Sequence, residues 1–258
     1  MLTRDDLKDY INVVGFNLWQ VEKDYLQHLI LTFLFQRVLG RKLVFKGGTA
    51  LQKVFGLNRF SLDLDFTYNN KIDFKEIFER IVKDISLFGF PTVLFSTKKY
   101  RVGETYVLKI KGPLYTGVDI SLSTIRIEIS FREKVILEPI VKEIVPIYID
   151  LRPYTVVVMN PEEILAEKFR ALIYRRRARD LYDLWFLLRK DIKPKRNLIE
   201  EKLKYYDISF NLNNFIKCID ELEDIWYSEL KPLLKHIPSY NVVKNEVNTY
   251  LTRYFENP

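Results

Sequence analysis

Apolar residues recur at helical spacing between Asp5 and Leu39, as in Tyr25, Leu29 and Phe33 and in Leu26, Ile30 and Leu34. This spacing predicts one or two helices, closed by Gly40-Arg41. A strand over Arg41 to Phe45 then leads into Gly47-Gly48, and a helix over Thr49 to Phe55 leaves that turn. In the next segment Leu62, Leu64 and Phe66 alternate with Asp63 and Asp65, so on a strand the apolar trio faces a core and both carboxylates share the opposite face. Ile77, Ile81, Ile85 and Phe88 place a helix over Phe74 to Phe88, ended by Gly89-Phe90-Pro91. Shorter β-type runs follow at Val93 to Ser96, Thr105 to Ile110 and Ile125 to Phe131, separated by Gly103, Gly112-Pro113 and Gly117.

The order strand, helix, strand, helix and then several strands predicts a small α/β or α+β domain ending near Asp150. Beyond Pro153 and a short apolar strand over Thr155 to Met159, the character changes. Asn160-Pro161-Glu162-Glu163 combines a cap, a first-turn proline and first-turn acids, which is a helix start. The remainder reads as mainly helical, punctuated by Pro194, Pro232 and Pro238. The chain therefore divides into residues 1–152 and a helical region over 153–258, with no repeat and no low-complexity linker.

Composition narrows the class. In 258 residues, 48% hydrophobic and 14% aromatic content is ample for a buried core and excludes a disordered chain. No apolar run reaches membrane-spanning length and the N-terminus has no signal-peptide pattern, so a soluble, cytoplasmic protein is expected. Cys218 is the only cysteine, which rules out an internal disulfide and a cysteine-built zinc site and leaves it a small buried hydrophobe. His28 and His236 stand far apart without metal-ligand spacing, and neither is assigned a catalytic role. The net charge of +7 suits a polyanionic partner without requiring one.

Candidate chemistry concentrates in Lys46-Gly47-Gly48-Thr49 and Arg59-Phe60-Ser61-Leu62-Asp63-Leu64-Asp65-Phe66. Two carboxylates on one strand face repel by on the order of a few kcal/mol when partly desolvated, and a cation relieves this. Mg²⁺ prefers oxygen ligands and commonly combines one or two carboxylates with substrate phosphates. The glycines let backbone N–H groups approach a phosphate, and the helix that follows directs its N-terminus to the same place. A Gly-Gly turn or an Asp-x-Asp alone is weak; their conjunction, with Arg59 and Ser61 interposed, predicts a metal-dependent phosphate-transfer site.

Ile125, Ile127, Ile129 and Phe131 alternate with Arg126, Glu128 and Ser130, so Glu128 is either a third metal-site acid or part of an ordinary polar strand face. Asp119, near Gly117 in an expected turn, is a poorer competitor. Further on, Leu165, Phe169 and Leu172 form an apolar stripe with Lys168 and Arg175 on an adjoining face. Lys168 is a candidate for the triphosphate of a nucleotide. Asp180 either caps the next helix or pairs with Arg179, and Arg176 and Arg177 read as a solvated helix end.

These motifs, with Glu22-Lys23-Asp24-Tyr25, Ala166-Glu167-Lys168-Phe169-Arg170-Ala171-Leu172 and Arg179-Asp180-Leu181-Tyr182-Asp183-Leu184, make the chain resemble the AbiEii/AbiGii-type nucleotidyltransferase toxins. That group comprises abortive-infection and type IV toxin–antitoxin proteins of the DNA polymerase β-like nucleotidyltransferase superfamily. The resemblance reaches to about Leu188. It implies an α+β fold, a nucleotidyltransferase-type mixed sheet flanked by helices with a mainly helical C-terminal region. It also implies Mg²⁺, with Mn²⁺ as a substitute, and an NTP donor. By position, Lys46, Gly47, Gly48, Thr49, Arg59, Ser61 and Lys168 fall to nucleotide binding, Asp63, Asp65 and Glu128 to the metal, and Lys168 and Asp180 to the conserved pair of the helical motif. Where many members carry Gly-Ser, this chain has Gly48-Thr49, whose hydroxyl offers the same hydrogen bonding.

The activity implied is transfer of an NMP to a hydroxyl acceptor, with RNA, and the tRNA 3′ end in particular, as the leading acceptor and a cognate antitoxin as a partner. The alternatives are NMP transfer to protein hydroxyls and a non-catalytic GTP-binding regulatory module. Three convergent acids argue against the last, since a binding role has little need of them.

Overall fold

The computed structural model describes residues 1–70 and 72–256. The chain divides into two compact units. The first comprises Met1–Gly56, Phe60–Val135 and Pro139–Val158; the second comprises Leu57–Arg59, Ile136–Glu138 and the chain from Met159 onward.

The first unit is built on one mixed sheet of seven strands, ordered β3-β4-β5-β2-β1-β7-β6. Its strands are β1 (Val44–Lys46), β2 (Leu64–Thr67), β3 (Thr92–Tyr100), β4 (Gly103–Ile110), β5 (Ser123–Ser130), β6 (Ile140–Ile144) and β7 (Tyr154–Val158). The β2–β5 and β1–β7 pairs are parallel and the other four are antiparallel. Among the described residues its α-helices are α1 (Arg4–Val14), α2 (Leu18–Phe35), α3 (Gly47–Phe55) and α4 (Lys75–Phe88). The alternation seen in the sequence is the alternation of the pleat: Ile125, Ile127 and Ile129 are buried with Tyr106, Leu108, Ile81 and Ile85, while Arg126 and Glu128 are exposed. Both α2 and α4 belong to that buried side, α2 against β5, β7 and α4, and α4 against β3.

Several sequence expectations shift. The stretch before Gly47-Gly48 is a 3₁₀ turn over Gly40–Lys42 followed by a three-residue strand, and α3 begins at Gly47 itself. Strand β2 starts at Leu64, so Leu62 and Asp63 lie in the bend before it, and Leu62 is only partly buried. Strand β6 was not anticipated: Ile-Val-Lys-Glu-Ile carries too little alternation to signal a strand, and its backbone pairs only with β7 at the sheet edge. Strand β7 joins the sheet, so the last segment of the first unit runs through Val158.

The second unit contains α5 (Pro161–Arg175), α6 (Ala178–Arg189), α7 (Arg196–Lys204), α8 (Leu212–Asp220), α9 (Glu223–Leu230) and α10 (Tyr240–Leu251). Helix α5 starts as its sequence predicts, with the Asn160 side chain accepting from the Glu162 N–H at 3.0 Å and Pro161 in the first turn. Its apolar stripe packs aromatically, with Phe169 stacked on Phe215 at 4.6 Å between centroids. Lys202 is fully buried and pairs with Glu163 at 2.6 Å, while the Glu163 carboxylate also accepts from the Ile136 and Leu137 N–H groups. Cys218 is a buried free thiol, as expected. No helix among the described residues is long and apolar enough to cross a membrane.

In the sheet unit, α2 and α3 are joined by a buried polar network. Lys53 Nζ lies 2.7 Å from Asp24 Oδ1, Gln52 donates to the same oxygen at 2.8 Å, and the Tyr148 hydroxyl donates to Asp24 Oδ2 at 2.8 Å. His28 Nδ1 lies 2.8 Å from the Tyr154 hydroxyl. Burial, reinforced by the nearby Lys53 charge and only partly offset by Asp24, pushes the His28 pKa down to about 3, so the ring is neutral.

Two outcomes are expected from this network. Lys53→Met leaves Asp24 buried without its cation, so the unfolding free energy in urea should fall by about 3–5 kcal/mol, whereas a loss below about 1 kcal/mol would show that the pair is not an anchor. His28 is harder to protonate folded than unfolded, so its contribution is complete above about pH 6.5 and is lost as pH falls toward 3. In that window wild-type stability should decline more steeply than that of His28→Gln; parallel curves would contradict the buried neutral ring.

Candidate active site

The strand β1 ends at Lys46, which stands opposite Asp65 in the antiparallel β1–β2 register, and α3 begins at the next residue. Gly47 has φ +75°, and a Cβ there would lie 2.5 Å from Asp65 Oδ2. Only glycine permits both the left-handed backbone and that approach. The N-terminus of α3 is thereby set beside the Asp65 carboxylate, and its partial positive charge favours anionic groups there. Gly48 and Thr49 complete the first turn and are buried.

On the other side of β2, Asp65 and Glu128 are direct partners in the parallel β2–β5 register. Neighbouring strands lie about 4.8 Å apart, so the two carboxylates leave the sheet side by side on one face. Glu128 is half exposed and has Arg126 Nη1 3.6 Å away, while Asp65 is partly buried. The acid reading of Glu128, left open by its strand pattern, gains from this register. Asp63 does not share the strand with Asp65; it is held in the bend just before it.

That bend is held by side chains. Gln27 Nε2 donates to the carbonyls of Ser61 and Leu62, both at 3.0 Å, and the Ser61 N–H donates to Gln52 Oε1 at 2.9 Å. The Thr49 hydroxyl donates to the Asp63 carbonyl. Gln52 is also tied to Asp24, so the segment carrying Asp63 rests on the buried network of α2 and α3. Thr49 thus acts on the Asp63 backbone rather than presenting its hydroxyl to a phosphate, and Ser61 contributes its backbone to the same hold. Gln27 and Gln52 escape a reading of the sequence, because amides on helix faces carry no motif. Lys23, on α2, is a further addition. Burial lowers its pKa, with the charges of Asp63 and Glu22 opposing, which places an ammonium in the field of Asp63.

Arg59, Lys168 and Asp180 belong to the helical unit and form a second constellation there. Arg59 makes a two-point contact with Asp183, Nε to Oδ1 and Nη2 to Oδ2, each at 2.6 Å. Lys168 Nζ lies 2.7 Å from Asp183 Oδ2 and 3.0 Å from Asp180 Oδ1, and Arg175 closes a fork on Asp180 at 2.7 and 2.8 Å. Burial alone would raise both acids, but Lys168 with Arg175 outweighs it at Asp180, and Arg59 with Lys168 at Asp183, so both carboxyls are held below their ordinary value of 3.8. Lys168 is 6% exposed and neutralised on both sides, so it is not the mobile point charge that its sequence position suggests. Asp180 is held by Lys168 and Arg175 rather than by Arg179. Asp183 is the residue that sequence reasoning passed over, although its spacing of three from Asp180 puts both on one helix face.

Oxygen donors paired across β2 and β5 suit a hard cation that takes one or two carboxylates and leaves its other positions to water and phosphate. Among the described residues no group of three or more His, Cys, Asp or Glu is assembled to hold a metal by itself. Asp65, with Asp63 or Glu128, offers carboxylate oxygens of the kind such a cation takes.

The family model described as nucleotidyl transferase AbiEii toxin, type IV TA system, matches residues 30–252. MenT4, a nucleotidyltransferase toxin of Mycobacterium tuberculosis H37Rv, superposes with a TM-score of 0.68 at 19% identity, covering 100% of this chain and 91% of that one. JHP933 of Helicobacter pylori superposes with a TM-score of 0.58 at 23% identity, covering 93% of this chain and 94% of that one. At these identities the likeness establishes the shared fold. An uncharacterized protein of Aquifex aeolicus (strain VF5) is 28% identical over 97 residues, which span 36% of this chain and 46% of that protein.

The contact between Gly47 and Asp65 can be tested by one methyl group. Gly47→Ala should cost about 1–2 kcal/mol of stability from the left-handed backbone. By displacing Asp65 it should also weaken Mn²⁺·NTP binding in calorimetry by at least about tenfold, the effect of roughly 1.4 kcal/mol. Unchanged cation binding would place the metal elsewhere.

Proposed function

The chain belongs to the AbiEii nucleotidyltransferase toxin family of type IV toxin–antitoxin systems, and from that premise we propose that it transfers an NMP from an NTP to the terminal hydroxyl of an RNA. The tRNA 3′ end is the acceptor this reading favours, with a cognate antitoxin as protein partner and the cytoplasm as the place of action. One observation carries the proposal: Asp65 stands beside Glu128 in register, with the α3 N-terminus against Asp65.

In this reading Asp63 and Asp65 would hold the cation that accompanies the triphosphate, and Glu128 faces the acceptor. Bound Mg²⁺ would supply charge neutralisation of the phosphates and of the oxygens that gain charge in the transfer. The acceptor oxygen bonds to the α-phosphorus, the bond from that phosphorus to the oxygen leading to the β-phosphate breaks, and pyrophosphate leaves. Glu128 takes the hydroxyl proton. The first turn of α3, with Lys46 preceding it, offers backbone N–H groups and positive charge to phosphate oxygens. Gln27, Gln52 and Thr49 hold the segment that carries Asp63, so little reorganisation accompanies the reaction. Lys168 and Asp180, with Asp183 and Arg59, act as the ionic anchor of the helical unit.

The test is incubation with each α-labelled NTP, Mg²⁺ and total cellular RNA and protein. Wild type should label RNA, and Asp65→Ala should reduce labelling by at least about a hundredfold, the scale set by loss of one charge-stabilising group, with its circular dichroism unchanged. Label in the protein fraction would instead select protein hydroxyls as acceptor, and RNA labelling by Asp65→Ala at the wild-type rate would reject the site.

A further inference from the structure

The sheet face that carries Asp65 and Glu128 does not end there. In the register of β2, β5, β4 and β3, Asp65 lies beside Glu128, Glu128 beside Thr105, and Thr105 beside Lys98. Two residues along, Arg126 lies beside Val107; two further, Thr124 lies beside Lys109 and Lys109 beside Val93. Side chains two apart on a strand share a face, so these rows form one surface continuous with the carboxylates. It lies opposite the buried residues Tyr106, Leu108, Ile125 and Ile127.

This surface has an unusual composition for a solvated sheet. Phe95, displaced outward where the β3–β4 register shifts between Leu94 and Ser96, is 59% exposed on an edge strand. Tyr100, on the same face as Lys98, is 54% exposed. An exposed aromatic on a sheet edge invites unwanted pairing unless it has a use. Lys109 Nζ stands 3.7 Å over the Phe95 ring centroid, placing a cation at the ring face. With Lys98 and Arg126, the face carries three cations spread around an aromatic ring, a pattern that suits a polyanion whose bases stack.

We propose that this face is the platform for the single-stranded 3′ segment of the acceptor RNA, with Phe95 stacking a base and Lys98, Lys109 and Arg126 contacting phosphates. The proposal rests on the RNA-acceptor reading and deepens it. The Lys109 row is four residues from the Glu128 row along the strands, about 13 Å at roughly 3.3 Å per residue. That is on the order of four stacked nucleotides at about 3.4 Å each, enough to lead the terminal hydroxyl from Phe95 to Glu128.

The experiment uses the full chain and an RNA hairpin with a four-nucleotide 3′ overhang, labelled with fluorescein at its 5′ end. Anisotropy is read in EDTA without NTP, beside the blunt hairpin. Wild type should prefer the overhang. Phe95→Ala should weaken overhang binding about five- to a hundredfold, the range for losing one base stack, and leave blunt-hairpin binding unaltered. Phe95→Tyr should restore it, and Lys109→Gln should weaken it and flatten its salt dependence. Equal binding by wild type and Phe95→Ala overturns the platform, as does a dimer that Phe95→Ala converts to monomer without loss of RNA binding. Phe95-dependent binding in a protein that labels no RNA would preserve the platform and reject the activity, whereas RNA labelling by Phe95→Ala at the wild-type kcat/KM would do the reverse.

Discussion

The approach of Gly47 to Asp65 governs the arrangement of the sheet unit's site. A carboxylate oxygen lies 2.5 Å from the point where any other residue would put its Cβ, so the close approach of the start of α3 to β2 depends on the absence of a side chain. Strand β2 is in turn bonded to β1 on one side and to β5 on the other, so this contact and the register with Glu128 are two consequences of one placement. An acid on a flexible loop would lack this constraint. Here the three elements that meet at Asp65 are parts of a seven-stranded sheet whose other face is buried.

Charges hidden from water support both units, and they do so separately. In the sheet unit Asp24 collects Lys53, Gln52 and Tyr148, and the second amide atom of Gln52 holds the Ser61 backbone. In the helical unit Asp180 and Asp183 collect Lys168, Arg175 and Arg59, while Lys202 is enclosed by Glu163 and Glu167. Such groups are costly to bury and contribute little over an apolar core of equal volume, but removing one partner strands the other. They therefore select one arrangement of the helices more than they add to net stability. The Asp24 network uses that selectivity where it matters, because it fixes the bend that carries Asp63.

The same sheet face joins the carboxylates to exposed Phe95 and its neighbouring cations. A mixed sheet with helices on its buried side leaves the opposite side for ligands, and strand pairing distributes chemistry across it without any loop. Residues contributed by β2, β5, β4 and β3 thus act as one surface although they span Asp65 to Glu128 in the chain.

Much of this was legible in the order of residues. Alternation around Asp65 and Glu128, the Gly47-Gly48 pair and the Asn160-Pro161 cap depend on local patterns, and local sterics dictate such patterns directly. What was not legible depends on partners distant in sequence. Arg59 meets Asp183 across 124 positions, and Gln27 reaches the Ser61 carbonyl across 34. The chemistry of a guanidinium or an amide is the same whether it binds a phosphate, a carboxylate or a backbone, so its type alone could not choose between them. Strand β6 was hidden for a related reason, since an edge strand with one neighbour needs little pattern of its own. The sequence by itself determined the local turn and strand patterns that made Gly47, Asp65 and Glu128 candidates for a phosphate and metal site. Only the tertiary structure decided that Asp65 stands beside Glu128, that Asp63 lies in a pinned bend, and that Lys168 is enclosed by two acids, because register and burial are properties of paired segments.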